Sequence, residues 1–233
     1  KICKTEVIPH LIEENLTNSK NFLSNINLDD KFVILTTSQW SQRKGFDFLL
    51  KAFIAELGDK NDALLVLKTY PNAGHDVESM KKEINYYKSI TRLDNKVNNI
   101  ALIPNFLDDE SMKYLYEKCD VFTLLSRGEG FSLPISEALM NKKPVIVPKE
   151  GGHIDYISHN SAFFVDGMWD TCVCPIPPYD VDGKWFISNV SSAREQIRKA
   201  YEMWKSRPFE LKTMGKQAYD FIKNGEYDRQ SIG

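Results

Sequence analysis

Short apolar runs alternate with amphipathic segments along most of this chain, and this alternation narrows the possible folds more than any other feature. Phe32–Thr37 and Leu64–Lys68 have the length and composition of buried strands. Gly45–Leu57, between them, carries apolar residues at helical spacing. Because strands joined by crossover helices run parallel, the sequence predicts an α/β fold in which helices flank a parallel sheet.

The same alternation continues to about residue 224 and is typical of a Rossmann-like sheet. The further predicted strands are Ile100–Ile103, Val121–Leu125, Val145–Val147 and Phe163–Val165. The further predicted helices are Val77–Ile90, Asp109–Lys118, one around Ile135, and two C-terminal helices within about 192–224, separated at Arg207-Pro208. Residues 166–189 lack a clear period and are predicted to form an ordered surface excursion, anchored by Trp169, Tyr179, Trp185 and Phe186. We therefore expect a single domain over residues 1–233, with its core at about 7–205.

Composition excludes several classes of protein. The 233 residues are 42% hydrophobic, which is enough for a substantial core. A net charge of -2 gives no electrostatic reason to expect nucleic acid as a partner. Four scattered cysteines do not suggest a disulfide framework, and no apolar run approaches the ~20 residues that span a bilayer. With no signal-peptide pattern at the start, these features favour a cytoplasmic location.

Residues 126–139 follow the fourth predicted strand and combine a Gly-rich turn with the start of a helix. Gly128 and Gly130 flank Glu129 in the turn, and Pro134 suits the first turn of a helix. A helix that starts here presents backbone N–H groups with no intrahelical partner to a ligand. The N–H groups concerned are those of Phe131, Ser132 and Leu133.

Two carboxylates distinguish this segment from an ordinary phosphate-binding loop. Glu129 and Glu137 would repel a phosphate, so they are better explained by the hydroxyl groups of a sugar attached to it. The alternative interpretations are an exposed glutamate in a turn for Glu129 and a solvated glutamate near a helix start for Glu137. The combination of turn, helix start and carboxylates favours a site for a sugar nucleotide.

The Glu-x7-Glu spacing inside Gly-Glu-Gly-Phe-Ser-Leu-Pro closely resembles the donor-binding domain of the retaining glycosyltransferases of family 4, which have the GT-B fold. Other segments are similar to the same domain, namely residues 41–53, 99–105, 114–122, 143–147 and 151–157. The resemblance runs from about Val7 to Tyr201 and covers most of the chain. It implies that the chain is one half of a GT-B enzyme whose N-terminal acceptor-binding domain is absent.

This resemblance implies a hexosyltransferase that moves a sugar from a nucleotide-diphosphate donor to a glycan or lipid-linked acceptor with retention of configuration. No cofactor and no metal ion are expected, and the acceptor would bind mainly through the missing domain. The fragment alone is therefore expected to be inactive. The full enzyme is expected in the cytoplasm, with peripheral association at the inner face of the membrane.

Specific roles also follow from the resemblance. Glu137 would hold the ribose of the donor, with Gly130 and the N–H groups of the helix start contacting its sugar or diphosphate. Glu129 would face the transferred sugar, and Lys44 and Arg43 would stabilise the charge that develops on the leaving diphosphate. Members of the family commonly have an arginine five residues before the lysine, and here that residue is Gln39. Either Arg43 supplies the second charge, or one cation and neutral donors hold the diphosphate.

Pro104 and Asn105 follow the third predicted strand, where the family cradles the nucleobase. The alternative for both is a plain strand end. The four histidines, His10, His75, His153 and His159, lack the spacing of a metal site and are predicted not to be ligands.

Two alternatives to a transferase are open to the sequence. The first is a module that binds a nucleotide or sugar nucleotide without turnover. Glu129 separates it from the transferase, because a nucleotide binder needs Glu137 but not a second carboxylate. The second, a Rossmann dehydrogenase, lacks support, since no Gly-x-Gly-x-x-Gly follows the first strand.

Overall fold

The computed structural model describes residue 12 and residues 17–23, 26–72, 74–91, 96–172 and 182–225. Its main sheet has six parallel strands in the order β3-β2-β1-β4-β5-β6. These strands are β1 (Phe32–Thr37), β2 (Ala63–Lys68), β3 (Ile100–Ile103), β4 (Val121–Thr123), β5 (Val145–Pro148) and β6 (Ala162–Val165). The predicted α/β fold with a Rossmann-like parallel sheet is confirmed.

Six helices accompany the sheet: α1 (Phe46–Leu57), α2 (Val77–Ile90), α3 (Asp109–Lys118), α4 (Leu133–Met140), α5 (Val190–Ser206) and α6 (Pro208–Lys223). Two short 3-10 turns lie at Gln42–Lys44 and Gly152–Tyr156. The bounds of α2, β3 and α3 agree with those predicted. Within the described part of the chain, no helix is both long and apolar enough to cross a membrane.

The predicted irregular excursion differs from the structure. Gly167–Thr171 (β7) and Lys184–Ser188 (β8) pair as an antiparallel two-stranded sheet. Of the predicted anchors, Trp185 and Phe186 are buried, whereas Trp169 is 50% exposed and Tyr179 lies outside the described residues. The prediction is therefore wrong for Trp169, which packs edge-on against Phe186 but keeps half of its surface in solvent.

Helices cover both faces of the main sheet, so the strands are buried on both sides. Along β1, Phe32 and Ile34 belong to one apolar cluster with α1, α2 and α5, while Val33 and Leu35 belong to another with α3 and α4. This is the period-two alternation of a strand with two covered faces. The arrangement leaves the carboxyl ends of the strands and their loops as the place for a ligand.

Candidate functional site

One carboxylate and two cations meet at the carboxyl ends of β1 and β4. Oε1 of Glu129 accepts hydrogen bonds from Nζ of Lys44 at 2.6 Å and from Nη1 of Arg43 at 3.0 Å. The side chains of Glu129 and Lys44 are only 8% and 11% exposed, and that of Arg43 is 25% exposed. We call these three residues the Glu129 cluster. The structure thus brings together the three residues predicted to act on the donor.

The fold explains why these residues meet. β1 and β4 are neighbours in the sheet, so the loops that follow them lie side by side. The Arg127 N–H donates to the carbonyl of Arg43 at 2.7 Å, and Ser126 Oγ donates to the same carbonyl at 3.0 Å. Gly45 ends the 3-10 turn with φ of +71°, and a Cβ on it would collide with the carbonyl of Leu125. A glycine is therefore needed for the two loops to approach this closely.

Arg127 belongs to the site, although no role for it was predicted from the sequence. Its guanidinium is bidentate to Asp47, with distances of 2.9 and 2.8 Å, and it also donates to the carbonyl of Gln42. The guanidinium carbon lies 4.1 Å from the centre of the Phe48 ring. Arg127 is 5% exposed, so these contacts form a buried clamp on the turn that carries Lys44 and Arg43. The one signal in the sequence was an arginine beside the apolar run that becomes β4.

The start of α4 is held in an unusual backbone conformation. Ser132, its N-cap, has φ of +69°, which non-glycine residues rarely adopt. The hydroxyl of Tyr156 donates to the carbonyls of Phe131 and Ser132, the latter at 3.0 Å. Gly152 packs against the Gly-rich turn, and its N–H donates to the carbonyl of Glu129 at 3.1 Å. Strain that neighbouring groups maintain in this way is common at ligand sites.

Glu137 lies on α4, one turn beyond this strained start. Its Oε2 accepts a hydrogen bond of 2.7 Å from the hydroxyl of Tyr116, which is 3.2 Å from Oγ1 of Thr37. Burial of its carboxylate raises the pKa of Glu137, and the hydrogen bond from Tyr116 offsets only part of that rise. No role for Tyr116 was predicted from the sequence. Its hydroxyl orients Oε2 of the carboxylate, and no hydrogen bond to Oε1 is formed among the described residues.

The cations of the site are partly desolvated. Burial lowers the pKa of Lys44, and the carboxylate of Glu129 offsets only part of that effect. An ammonium held away from water in this way interacts strongly with an anionic ligand. Burial also lowers the pKa of His153, whose Nε2 is 2.8 Å from the carbonyl of Pro148. Among the residues described, no group of three or more His, Cys, Asp or Glu side chains is placed to hold a metal ion.

The remaining predicted donor-binding residues lie at the same edge of the sheet. Gln39 follows β1 and is half-buried, while Pro104 and Asn105 follow β3 and are half-buried and exposed, respectively. Gly130 and Leu133 are exposed around the start of α4. All of these residues follow the carboxyl ends of strands, and their contact with a ligand stays a prediction. Within the described residues, Asn105 forms no hydrogen bond with the Glu129 cluster.

One family model matches most of the chain, and two curated relatives are similar to it. Residues 18–171, more than half of the chain, match the family of glycosyl transferases group 1. An uncharacterized glycosyltransferase of Methanocaldococcus jannaschii is 25% identical over 173 residues, which are 74% of this chain and 39% of that protein. Mannosylfructose-phosphate synthase of Agrobacterium fabrum is 26% identical over 140 residues, 58% of this chain and 29% of that enzyme. The chain spans well under half the length of these curated relatives.

Solved structures show the same fold. The C-terminal domain of the LpcC group 1 protein from Francisella tularensis superimposes with a TM-score of 0.61 at 22% identity, covering 85% of this chain and 87% of that domain. HepE of Anabaena, solved with UDP and glucose, gives a TM-score of 0.63 at 19% identity, covering 88% of this chain and 47% of HepE. The sheet is thus that of the C-terminal half of a GT-B glycosyltransferase. On the extent of the family match, the chain belongs to the group 1 glycosyl transferases.

Proposed function

We propose that this chain is the donor-binding domain of a retaining glycosyltransferase of family 4 that uses a nucleotide-diphosphate hexose. The observation that carries the proposal is the Glu129 cluster beside the start of α4, with Glu137 one turn further along the same helix. It pairs cations suited to a diphosphate with carboxylates suited to sugar hydroxyls. The neighbour HepE was solved with UDP and glucose, and UDP is therefore a reasonable first probe.

Each part of the donor has a matching group. The ribose hydroxyls would donate to the free oxygen of Glu137, whose other oxygen Tyr116 already orients. The diphosphate would accept from Lys44, Arg43 and the N–H groups at the start of α4. The transferred sugar would lie against Glu129.

The charges of the Glu129 cluster also favour an anionic ligand. One carboxylate bridges two cations, so each cation has a partner, but the cluster keeps one net positive charge. On donor binding, phosphate oxygens would replace Glu129 as the partners of Lys44 and Arg43. Glu129 would then be released to accept a hydrogen bond from a sugar hydroxyl.

The chemistry needs no general base from this domain. The bond between the anomeric carbon and the diphosphate oxygen breaks, and its electron pair stays on the leaving diphosphate. Lys44 and Arg43 stabilise that charge. The acceptor hydroxyl forms its bond on the same face of the sugar and passes its proton to the leaving phosphate oxygen. The acceptor would be a glycan or a lipid-linked compound, and the full enzyme would work in the cytoplasm at the inner face of the membrane.

The proposal is tested by isothermal titration of the chain with UDP, UDP-glucose, GDP and ADP. We expect UDP or GDP to bind, and Glu137→Ala to abolish binding because the ribose contact is lost. Glu195→Ala, an exposed glutamate on α5, is the matched control and should bind like the wild type. Equal binding by Glu137→Ala and wild type would overturn the ribose role.

The proposed site uses no metal ion. UDP should therefore bind with the same affinity in EDTA as in Mg²⁺, because Lys44 and Arg43 provide the positive charge that a divalent ion would otherwise supply. The titration is done in both buffers on the same protein preparation. Binding that appears only with Mg²⁺ would contradict the prediction.

A further inference from the structure

Lys68, the last residue of β2, is a buried lysine that the proposed mechanism does not use. It is 7% exposed, although lysine is among the residue types least often buried without a partner. Its ammonium donates one hydrogen bond of 3.2 Å to the carbonyl of Thr69, and its Nζ lies 5.9 Å from the centre of the Tyr70 ring. Among the described residues it forms no ion pair. Burial accordingly lowers the pKa of Lys68, with no carboxylate to oppose the effect.

The register of the sheet places Lys68 between two parts of the donor site. Lys68 pairs with Thr37 of β1 on one side and with Ile103 of β3 on the other. Paired residues of parallel strands project to the same face, so Lys68 shares its face with Thr37, whose Oγ1 is 3.2 Å from the hydroxyl of Tyr116. Tyr116 in turn holds Glu137.

On its other side, Lys68 neighbours the strand that leads into the proposed base-binding segment. Ile103 is followed directly by Pro104 and Asn105. Lys68 therefore lies in the sheet between β1, whose Thr37 contacts Tyr116, and β3, which leads into the segment proposed to hold the base. Its ammonium has three hydrogen-bond donors, one of which is used by the carbonyl of Thr69.

We propose that Lys68 binds the nucleobase of the donor by donating a hydrogen bond to a ring carbonyl oxygen. This inference rests on the proposed function and specifies the class of donor that the site accepts. Uracil and guanine carry such an oxygen and adenine does not, so the site should favour UDP and GDP over ADP. An acceptor on the ligand supplies a second hydrogen-bond partner to a buried ammonium that has only the carbonyl of Thr69 and no carboxylate among the described residues, which makes the contact favourable.

A purely structural role for Lys68 predicts a different result. If the hydrogen bond to Thr69 served mainly to hold the loop after β2, replacing Lys68 would destabilise the free protein. If Lys68 is kept for the ligand, Lys68→Met removes a desolvated charge, fills similar volume and should not lower the melting temperature. The melting temperature of the ligand-free variant therefore separates the two roles.

The test is titration of wild type, Lys68→Met, Lys68→Gln and Glu137→Ala with UDP, GDP and ADP. Lys81→Met, at an exposed lysine on α2, is the matched control. The wild type should prefer UDP or GDP to ADP. Lys68→Met should weaken that preferred nucleotide by about tenfold or more, the effect of one charge-assisted hydrogen bond, and leave ADP nearly unchanged. Lys68→Gln keeps a neutral donor, so its affinity for the preferred nucleotide should lie between those of the wild type and Lys68→Met.

The outcomes distinguish this inference from the function on which it rests. If Glu137→Ala abolishes UDP binding while Lys68→Met binds as the wild type does, the donor site stands and the role of Lys68 is overturned. If Lys68→Met weakens UDP and ADP equally, Lys68 does not contact the base and the inference is also overturned. Failure of the wild type to bind any nucleotide would overturn both proposals.

Discussion

At the residue scale, the environment of Glu137 makes a prediction about pH. Its pKa is raised above the ordinary 4.5, mainly by burial, so the ionised form is destabilised in the folded protein. The resulting loss of stability is fully present above the folded pKa and disappears as the pH falls through it towards 4.5. Glu137→Gln keeps an acceptor for Tyr116 and should stabilise the protein at pH 8, by less than about 1 kcal/mol because the side chain is partly exposed.

Denaturant unfolding of Glu137→Gln and wild type at pH 8 and near pH 4.5 tests this sign. The difference in free energy of unfolding should shrink towards zero at the lower pH. Other groups titrate in the same range, but they do so in both proteins and cancel from the difference. A variant that is less stable than the wild type at pH 8 would show that the carboxylate supports the fold rather than a ligand.

Glu129 carries a second prediction at this scale. Glu129→Gln removes the charge that pairs with Lys44 and Arg43, so the cations are freer to meet a diphosphate. UDP itself should bind at least as tightly as it does to the wild type, while any preference for UDP-glucose over UDP should be lost. The ratio of the two dissociation constants, measured for both proteins, is the readout. An unchanged ratio would refute contact between Glu129 and the sugar, and the non-catalytic binding module would gain support.

At the element scale, local signals account for what the sequence predicted well. α2 begins at Val77 because Asp76 caps it, its side chain accepting from the N–H of Ser79 at 2.7 Å. The start of α5 was predicted less well: the helix begins at Val190, two residues before the predicted start, because Asn189 caps the N–H groups of Ser191 and Ser192. Such caps can be recognised in a sequence. The β7–β8 pairing could not be, since Gly167–Thr171 is largely exposed and has no apolar alternation.

The site was predictable only in part, because its contacts join residues that are far apart in the sequence. Sequence order places Lys44, Arg43 and Glu129 at the ends of strands, and a parallel sheet brings those ends to one edge. Which carboxylate meets which cation depends on the order of strands in space, here β1 beside β4. The role of Arg127 depends further on burial, because its partner Asp47 lies 80 residues away in the chain.

The clamp between the two loops gives an element-scale prediction. Arg127 is more deeply buried than Asp47, the side chains being 6% and 21% exposed. Asp47→Ala leaves a buried guanidinium without its carboxylate and should lower the free energy of unfolding by about 3 kcal/mol. Arg127→Met leaves an aspartate that water can reach, and it should cost less.

Denaturant unfolding measures both variants, with Arg198→Ala as the control. Arg198 is 48% exposed, and its partner Glu56 also pairs with Arg194, so the loss of Arg198 should cost no more than about 1 kcal/mol. Asp47→Ala should also weaken UDP binding, because the 3-10 turn that carries Lys44 loses its anchor. An equal cost for Asp47→Ala and Arg198→Ala would mean that the buried pair does not hold the loops.

At the scale of the whole molecule, the packed core and the proposed site occupy different parts of the fold. The core fills both faces of the sheet between the helices, whereas the site lies along the carboxyl ends of the strands. A ligand that binds only the folded state stabilises it by about 2.7 kcal/mol when the ligand concentration is a hundred times the dissociation constant. This gain does not depend on how stable the ligand-free protein is. A substitution in the core should therefore lower the melting temperature and leave the stabilisation by ligand unchanged. A substitution in the site should leave the melting temperature unchanged and abolish the stabilisation by ligand.

Phe53→Ala and Glu137→Ala make this comparison. Phe53 is fully buried in α1, so its truncation should cost about 3–5 kcal/mol, or roughly 2–4 °C of melting temperature per kcal/mol in a chain of this size. UDP at saturating concentration should still stabilise Phe53→Ala by the same free energy as the wild type. Glu137→Ala should melt near the wild-type temperature without ligand and gain nothing from UDP. If Phe53→Ala lost its response to UDP, the site would depend on core packing, and the separation drawn from the sheet's geometry would fail.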